Sequence, residues 1–227
     1  MTGQEVYEVL MARGSDKLYH ANSVKTSLSL LRLGGLASRG EVMDRKLPQT
    51  SQISDQEDRE YEIWYDIFVD THDIHSVLRR RNFYGPVLFV MDAKLLLRLP
   101  LNSTVLVTRC NPTKWKGLPN DQRYFLTMPE LAAGLKVGYF DHMITIRSPN
   151  GIIPFSDTLE RIILDEPRLS APDVSEDYVA AQGAISEAVA KAGIRVQIER
   201  RICDVCNCKT EYQDPDKPKR IGYFFTP

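Results

Sequence analysis

The sequence predicts an α+β fold in a single domain spanning residues 1–227. Three observations point there. Helical spacing opens the chain, strand-like runs dominate its middle, and one long helix comes late, an order that favours segregated helices and strands over a doubly wound sheet. No linker of shifted composition divides the chain. A length of 227 residues with 43% hydrophobic and 26% charged content is that of an ordinary globular chain able to bury a core. The formal net charge of −1 gives no overall attraction to nucleic acid or to a membrane surface. No apolar run reaches the ~18 residues of a membrane span, and "MTGQEVYEVLMARGSDK" lacks the layout of a secretion signal. The expectation is a soluble cytoplasmic protein.

The elements follow in order. "EVYEVLMARG" has helical apolar spacing and ends at Gly14, giving an N-terminal helix within residues 1–14. "KLYHA" is a short strand. Ser23 caps a helix over "VKTSLSLLRLGG", with Val24, Leu28 and Leu31 on one face and Gly34 as the stop. Residues 40–60 are polar and charged and are expected to form a mobile surface loop. "YEIWYDIFVD" reads as a strand and "THDIHSVLRRR" as a short helix capped by Thr71 or Asp73. "YGPVLFVMD", "STVLVTR", "GYFDHMITI" and "LERIILDEP" read as strands. "SEDYVAAQGAISEAVAKAG" is a helix from a Ser175 cap to Gly193. "IRVQIERRI" and "RIGYFFT" read as closing strands.

Several clusters carry chemistry. His20 stands at the end of a short strand, where a rigid element positions a polar side chain. Between Lys94 and Phe125 the basic residues Lys94, Arg98, Arg109, Lys114, Lys116 and Arg123 face a single acid, Asp121, with Trp115, Tyr124 and Phe125 among them. Positive charge follows phosphates and aromatics stack on unpaired bases. Lys114, Trp115, Lys116 and Arg123 are therefore the candidate nucleic-acid contacts, with "NPTKWKGLPNDQRYF" projecting as a substrate loop. Cys203, Cys206 and Cys208 in "CDVCNC" could ligate zinc with Cys110 or a histidine as fourth ligand. Half of a paired motif favours reduced thiols instead, so no metal is assigned. His72 and His75, at i and i+3 in "THDIH", could face one metal, but a solvated helix start is the simpler account.

The run of Tyr19-His20, polar turn, capped helix and "GGLASRG" resembles the first element of the ADP-ribosyltransferase superfamily, in which a pattern near "YHxT" precedes a helix with "GL" near its end. "RRRNFYGPVLFVMD" is similar to the DNA-targeting ADP-ribosyltransferase toxins, which carry a basic pair and then a strand near "YVPFYF". Tyr84, Pro86 and Phe89 match, while Leu88 stands where the family has an aromatic residue. "SDTLERIILDEP" resembles the family's late strand with its glutamate.

The resemblance implies split antiparallel sheets flanked by helices, with NAD bound as a substrate. It places His20, Asn22, Ser23, Tyr84 and Arg79 on NAD and Arg80 on phosphate or acceptor. Glu160 would stabilise the charge at the anomeric carbon as nicotinamide leaves, with Glu166 as its rival. ADP-ribose would pass to a nucleic-acid base, on single-stranded DNA or RNA, and an antitoxin protein is a further partner the resemblance admits. An RNA 2′-phosphotransferase of the same fold is one alternative. A non-catalytic, zinc-stabilised or nucleic-acid-binding protein is another.

Overall fold

Thr2 and Glu5 close a capping box at the start of α1 (Gly3–Ala12), the Glu5 carboxylate accepting from the Thr2 N–H at 2.8 Å. β1 (Lys17–Asn22) follows. Ser23 caps α2 (Val24–Leu33), and Gly34, with a left-handed φ of 69°, stops it. These boundaries agree with the sequence because both signals are local. The computed structural model describes residues 1–77, 84–167, 175–202, 212 and 220–227. Arg79, Arg80, Arg81, Cys203, Cys206 and Cys208 lie outside the described residues.

After β2 (Gly35–Ala37) come α3 (Arg39–Asp44) and α4 (Asp55–Glu60), then β3 (Ile67–Val69) and α5 (Ile74–Val77). The expected loop over 40–60 is corrected here: it holds two short helices and is tied down. Ser38 caps α3, Arg39 pairs with Asp55 at 2.6 Å, and the Thr50 N–H donates to the Thr26 hydroxyl at 2.9 Å. Polar composition concealed this because the segment docks through hydrogen bonds rather than through an apolar stripe.

β4 (Val87–Asp92) and β5 (Thr104–Thr108) fall where expected, separated by a 3₁₀ turn, Ala93–Arg98. α6 (Asn120–Arg123), β6 (Tyr124–Phe125) and α7 (Met128–Gly134) lead to β7 (Ile144–Arg147), β8 (Ile152–Pro154) and β9 (Leu159–Asp165). α8 (Glu176–Lys191) is capped by Ser175, and β10 (Gln197–Arg201) follows it. "RIGYFFT" is not a strand but α9 (Arg220–Phe225). The rings of Phe224 and Phe225 pack on Tyr212 at 5.7 and 5.1 Å, and burial of this aromatic group overrides local strand propensity.

The described strands form three sheets: β1-β4-β9-β10, β2-β8 and β3-β7-β5-β6. Pairing is antiparallel except between β9 and β10, which run parallel because α8 carries the chain back across the sheet. The register sets His20 opposite Phe89, Phe89 opposite Ile162, and Asn22 opposite Val87. β3 reaches β1 through one bridge: the Tyr19 N–H donates to the Asp70 carbonyl at 2.9 Å, and the Asp70 N–H donates back at 2.8 Å. That bridge brings the end of the third sheet against the histidine-bearing strand. No described helix is long and apolar enough to cross a membrane.

Candidate active site

A cavity of about 140 Å³ opens where β1, β3, α3 and α4 converge. His20 and Asn22 line it from β1, Phe68 and Asp70 from β3 and its end, Tyr84 from the turn before β4, and Asn111 from the loop after β5. The position of His20 is fixed twice. Its Nδ1 lies 2.8 Å from the Phe68 carbonyl oxygen and its Nε2 lies 3.1 Å from the Asn22 amide nitrogen. A carbonyl can only accept, so Nδ1 carries the proton and Nε2 accepts from Asn22. Burial pushes the His20 pKa below its ordinary value, opposed by the bond to Phe68, so the ring is neutral at pH 7.

The lining also holds four carboxyl groups, Glu57, Asp58, Asp66 and Asp70. Burial raises Asp58 to about 6 against the bond from Ser54 and the nearby Arg39. Burial also raises Asp66, although Arg147 donates to it at 2.6 Å. Asp70 is pushed up to about 7 by burial alone. Tyr84 is raised by burial and by the Asp70 charge. Among the described residues Arg39 is the arginine of the lining; its Nη2 donates to Asp55 at 2.8 Å and to the Thr50 carbonyl at 3.1 Å, while its buried Nη1 has no hydrogen-bond partner. The wall thus combines carboxyls that burial pushes toward the protonated form with one arginine.

The structure therefore brings together His20, Asn22 and Tyr84 from the expected set. Ser23 is correct as a residue of the turn but not as a lining group. It is buried, and its hydroxyl is taken up by Thr26 and by Thr50 at 2.6 Å. Glu160 is not brought to the cavity. It lies at the start of β9, beside the Leu159–Met91 pair, and forms an ion pair with Lys17 at the opposite end of β1 from Asn22. Glu166, at the other end, is buried and accepts from Arg200 at 3.0 Å.

The expected nucleic-acid loop is corrected more sharply. Trp115 is fully buried against Ile63 and Tyr124, and its indole N–H donates to the Cys110 carbonyl at 2.9 Å. A ring enclosed in a satellite core cannot stack on a base. Lys114 chelates Asp141 at 2.8 and 2.7 Å, and Arg123 donates to the Leu118 carbonyl and lies over the Tyr61 ring. Lys116 is exposed. What reaches the cavity from this segment is Asn111, Pro112 and Thr113. The expected solvated helix start at His72 and His75 is corrected: His75 is buried, its Nδ1 3.0 Å from Asp165, and no metal-holding cluster is found among the described residues.

Sequence reasoning missed Asp58, Asp66, Asp70 and Arg39. The one usable signal was the polar run "VDTHD" directly after an apolar strand, where a side chain at a strand end meets whatever packs beside it.

No protein-family model matches this chain, and no curated protein does. Solved structures do. The Thermus sp. 2.9 DarT in complex with ADP-ribosylated ssDNA matches with a TM-score of 0.53 at 14% identity, over 83% of this chain and 95% of that one. The same protein in complex with NAD+ matches with a TM-score of 0.51 at 12% identity, over 82% and 96%. The chain has the DarT-like ADP-ribosyltransferase fold, as the resemblance in its sequence implies.

Proposed function

We propose that this chain is an NAD-dependent ADP-ribosyltransferase that acts on a base of single-stranded DNA. The observation that carries the reading is the position of His20. It sits on the wall of an acid-lined cavity, locked in one tautomer, in a fold shared with a DarT bound to NAD+ and to ADP-ribosylated ssDNA. A shared fold supports an activity only through its site, and the acids of this lining are what support the reading. Nicotinamide leaves as the C1′–N bond breaks, and positive charge passes from the pyridinium to the anomeric carbon. Carboxyls around that point stabilise the charge as it develops. We assign this role to Asp58 and Asp66 in place of Glu160. His20 and Asn22 orient the nicotinamide-ribose end. Arg79 on NAD and Arg80 on phosphate or acceptor stay as the resemblance implies, outside the described residues.

The test is incubation of the full chain with NAD and, separately, DNA and RNA oligonucleotides, read by intact mass. ADP-ribose should appear on DNA, and His20→Ala should lower the rate by about 10²-fold, the usual loss for a misplaced reactant. Absence of the adduct on every oligonucleotide, with no thermal shift on adding NAD, rejects the reading.

A further inference from the structure

The geometry points to Asp70 as the group that takes the proton from the acceptor base during transfer. This rests on the function proposed above and adds a residue to it. Three observations support it. Asp70 lines the same cavity as His20, and its backbone is clamped to Tyr19, the neighbour of His20, by two hydrogen bonds of 2.9 and 2.8 Å. The bridge fixes the Asp70 backbone on β1 at the cavity's edge. Second, the carboxyl is the part of Asp70 left for chemistry: among the described residues it makes no hydrogen bond or ion pair. Asp66, by contrast, is held by Arg147, and Asp58 accepts from Ser54. Third, a base works best with a pKa near the working pH, and burial brings Asp70 to about 7.

The step balances. The acceptor nitrogen attacks C1′ as the bond to nicotinamide breaks, and the bonding pair leaves on the nicotinamide nitrogen, which becomes neutral. The N–H proton of the acceptor passes to the Asp70 carboxylate and then to solvent. The charged and titratable groups that share the cavity are His20, Arg39, Glu57, Asp58, Asp66 and Tyr84. His20 is neutral, and Arg39 is neutralised by Asp55, so neither supplies a strong counter-charge to Asp70.

The experiment is a pH–rate profile for DNA modification by the parent chain and by Asp70→Asn, with NAD and oligonucleotide varied separately. In the parent, kcat should rise with pH through about 7 as the carboxyl ionises. Asp70→Asn should lose that limb and lower kcat by about 10²–10⁴-fold, with the KM for NAD within about twofold, as expected for a group that acts only in the chemical step. Thermal melts provide the check on folding. A native carboxyl with a raised pKa binds more protons than the unfolded chain between about pH 4 and 7, so the parent loses stability as pH rises through that window. Asp70→Asn lacks this loss and should melt higher than the parent at pH 8, with the gap closing toward pH 4. If Asp70→Asn keeps the parent's kcat and acid limb, the inference is overturned while the proposed function stands. If the parent itself modifies no oligonucleotide, the proposed function fails and the inference goes with it.

Discussion

Single residues decide what each side chain is free to do, and Trp115 is the clearest case. Its sequence setting, between Lys114 and Lys116, is that of a stacking residue. Its actual setting is a small core with Ile63, Tyr124 and the tilted ring of Tyr61, centroid 5.7 Å away. Trp115→Ala is therefore expected to cost about 3–5 kcal/mol of stability, the usual price of an aromatic cavity. Oligonucleotide affinity, compared at a temperature where both proteins are folded, should stay within about twofold. Denaturant titration together with fluorescence anisotropy checks both halves, and a large affinity loss without destabilisation would restore the ring to the surface. Lys114 is exposed and pairs on one side with Asp141, so part of its positive charge is offset by that carboxylate.

Elements determine where such residues meet. The end of β1 and the turn before β4 approach so closely at Gly85 that a β-carbon there would lie 2.5 Å from the Asn22 carbonyl oxygen and 2.6 Å from the Ser23 nitrogen. The φ of 118° is also one that only glycine adopts without strain. Gly85→Ala should push the turn off β1, moving Tyr84 and Asn22 on the cavity wall together. The expected result is a loss of about 2–3 kcal/mol of stability and a rise in the KM for NAD of tenfold or more. Thermal unfolding and initial-rate kinetics measure the two effects, and unchanged KM in a folded variant would separate the turn from the site.

The whole molecule is drawn together by Asp165, at the end of β9. Its buried carboxylate meets His75 Nδ1 at 3.0 Å from α5, Arg201 Nε at 2.7 Å from β10, and the Tyr212 hydroxyl at 3.2 Å. Tyr212 in turn carries the rings of α9, so one carboxyl joins the middle of the chain to its end. Breaking a buried ionic network from one side leaves the partner charges without compensation. Asp165→Ala is expected to lower the unfolding free energy by about 3–5 kcal/mol. An unfolding free energy from urea titration reduced by less than ~1 kcal/mol would mean that the network is held by its other contacts.

By itself the sequence determined what local chemistry controls. The α2 cap and stop at Ser23 and Gly34, the Ser175-capped α8, the apolar strands β4, β5 and β9, and the α+β order were all legible, because each depends on neighbours a few residues apart. The resemblance built on Tyr19-His20 and "YGPVLF" likewise led to the fold that the DarT structures share. Only the tertiary structure decided which residues face the cavity. Glu160 and Asp70 are both acids beside apolar strand residues. The register of β4 on β9 carries Glu160 away to Lys17, while the bridge from Asp70 to Tyr19 brings the other beside His20. Trp115 was enclosed by Ile63 and Tyr61, more than fifty residues earlier in the chain. Contacts at that separation are selected by the packing of the whole core, and no local pattern encodes them.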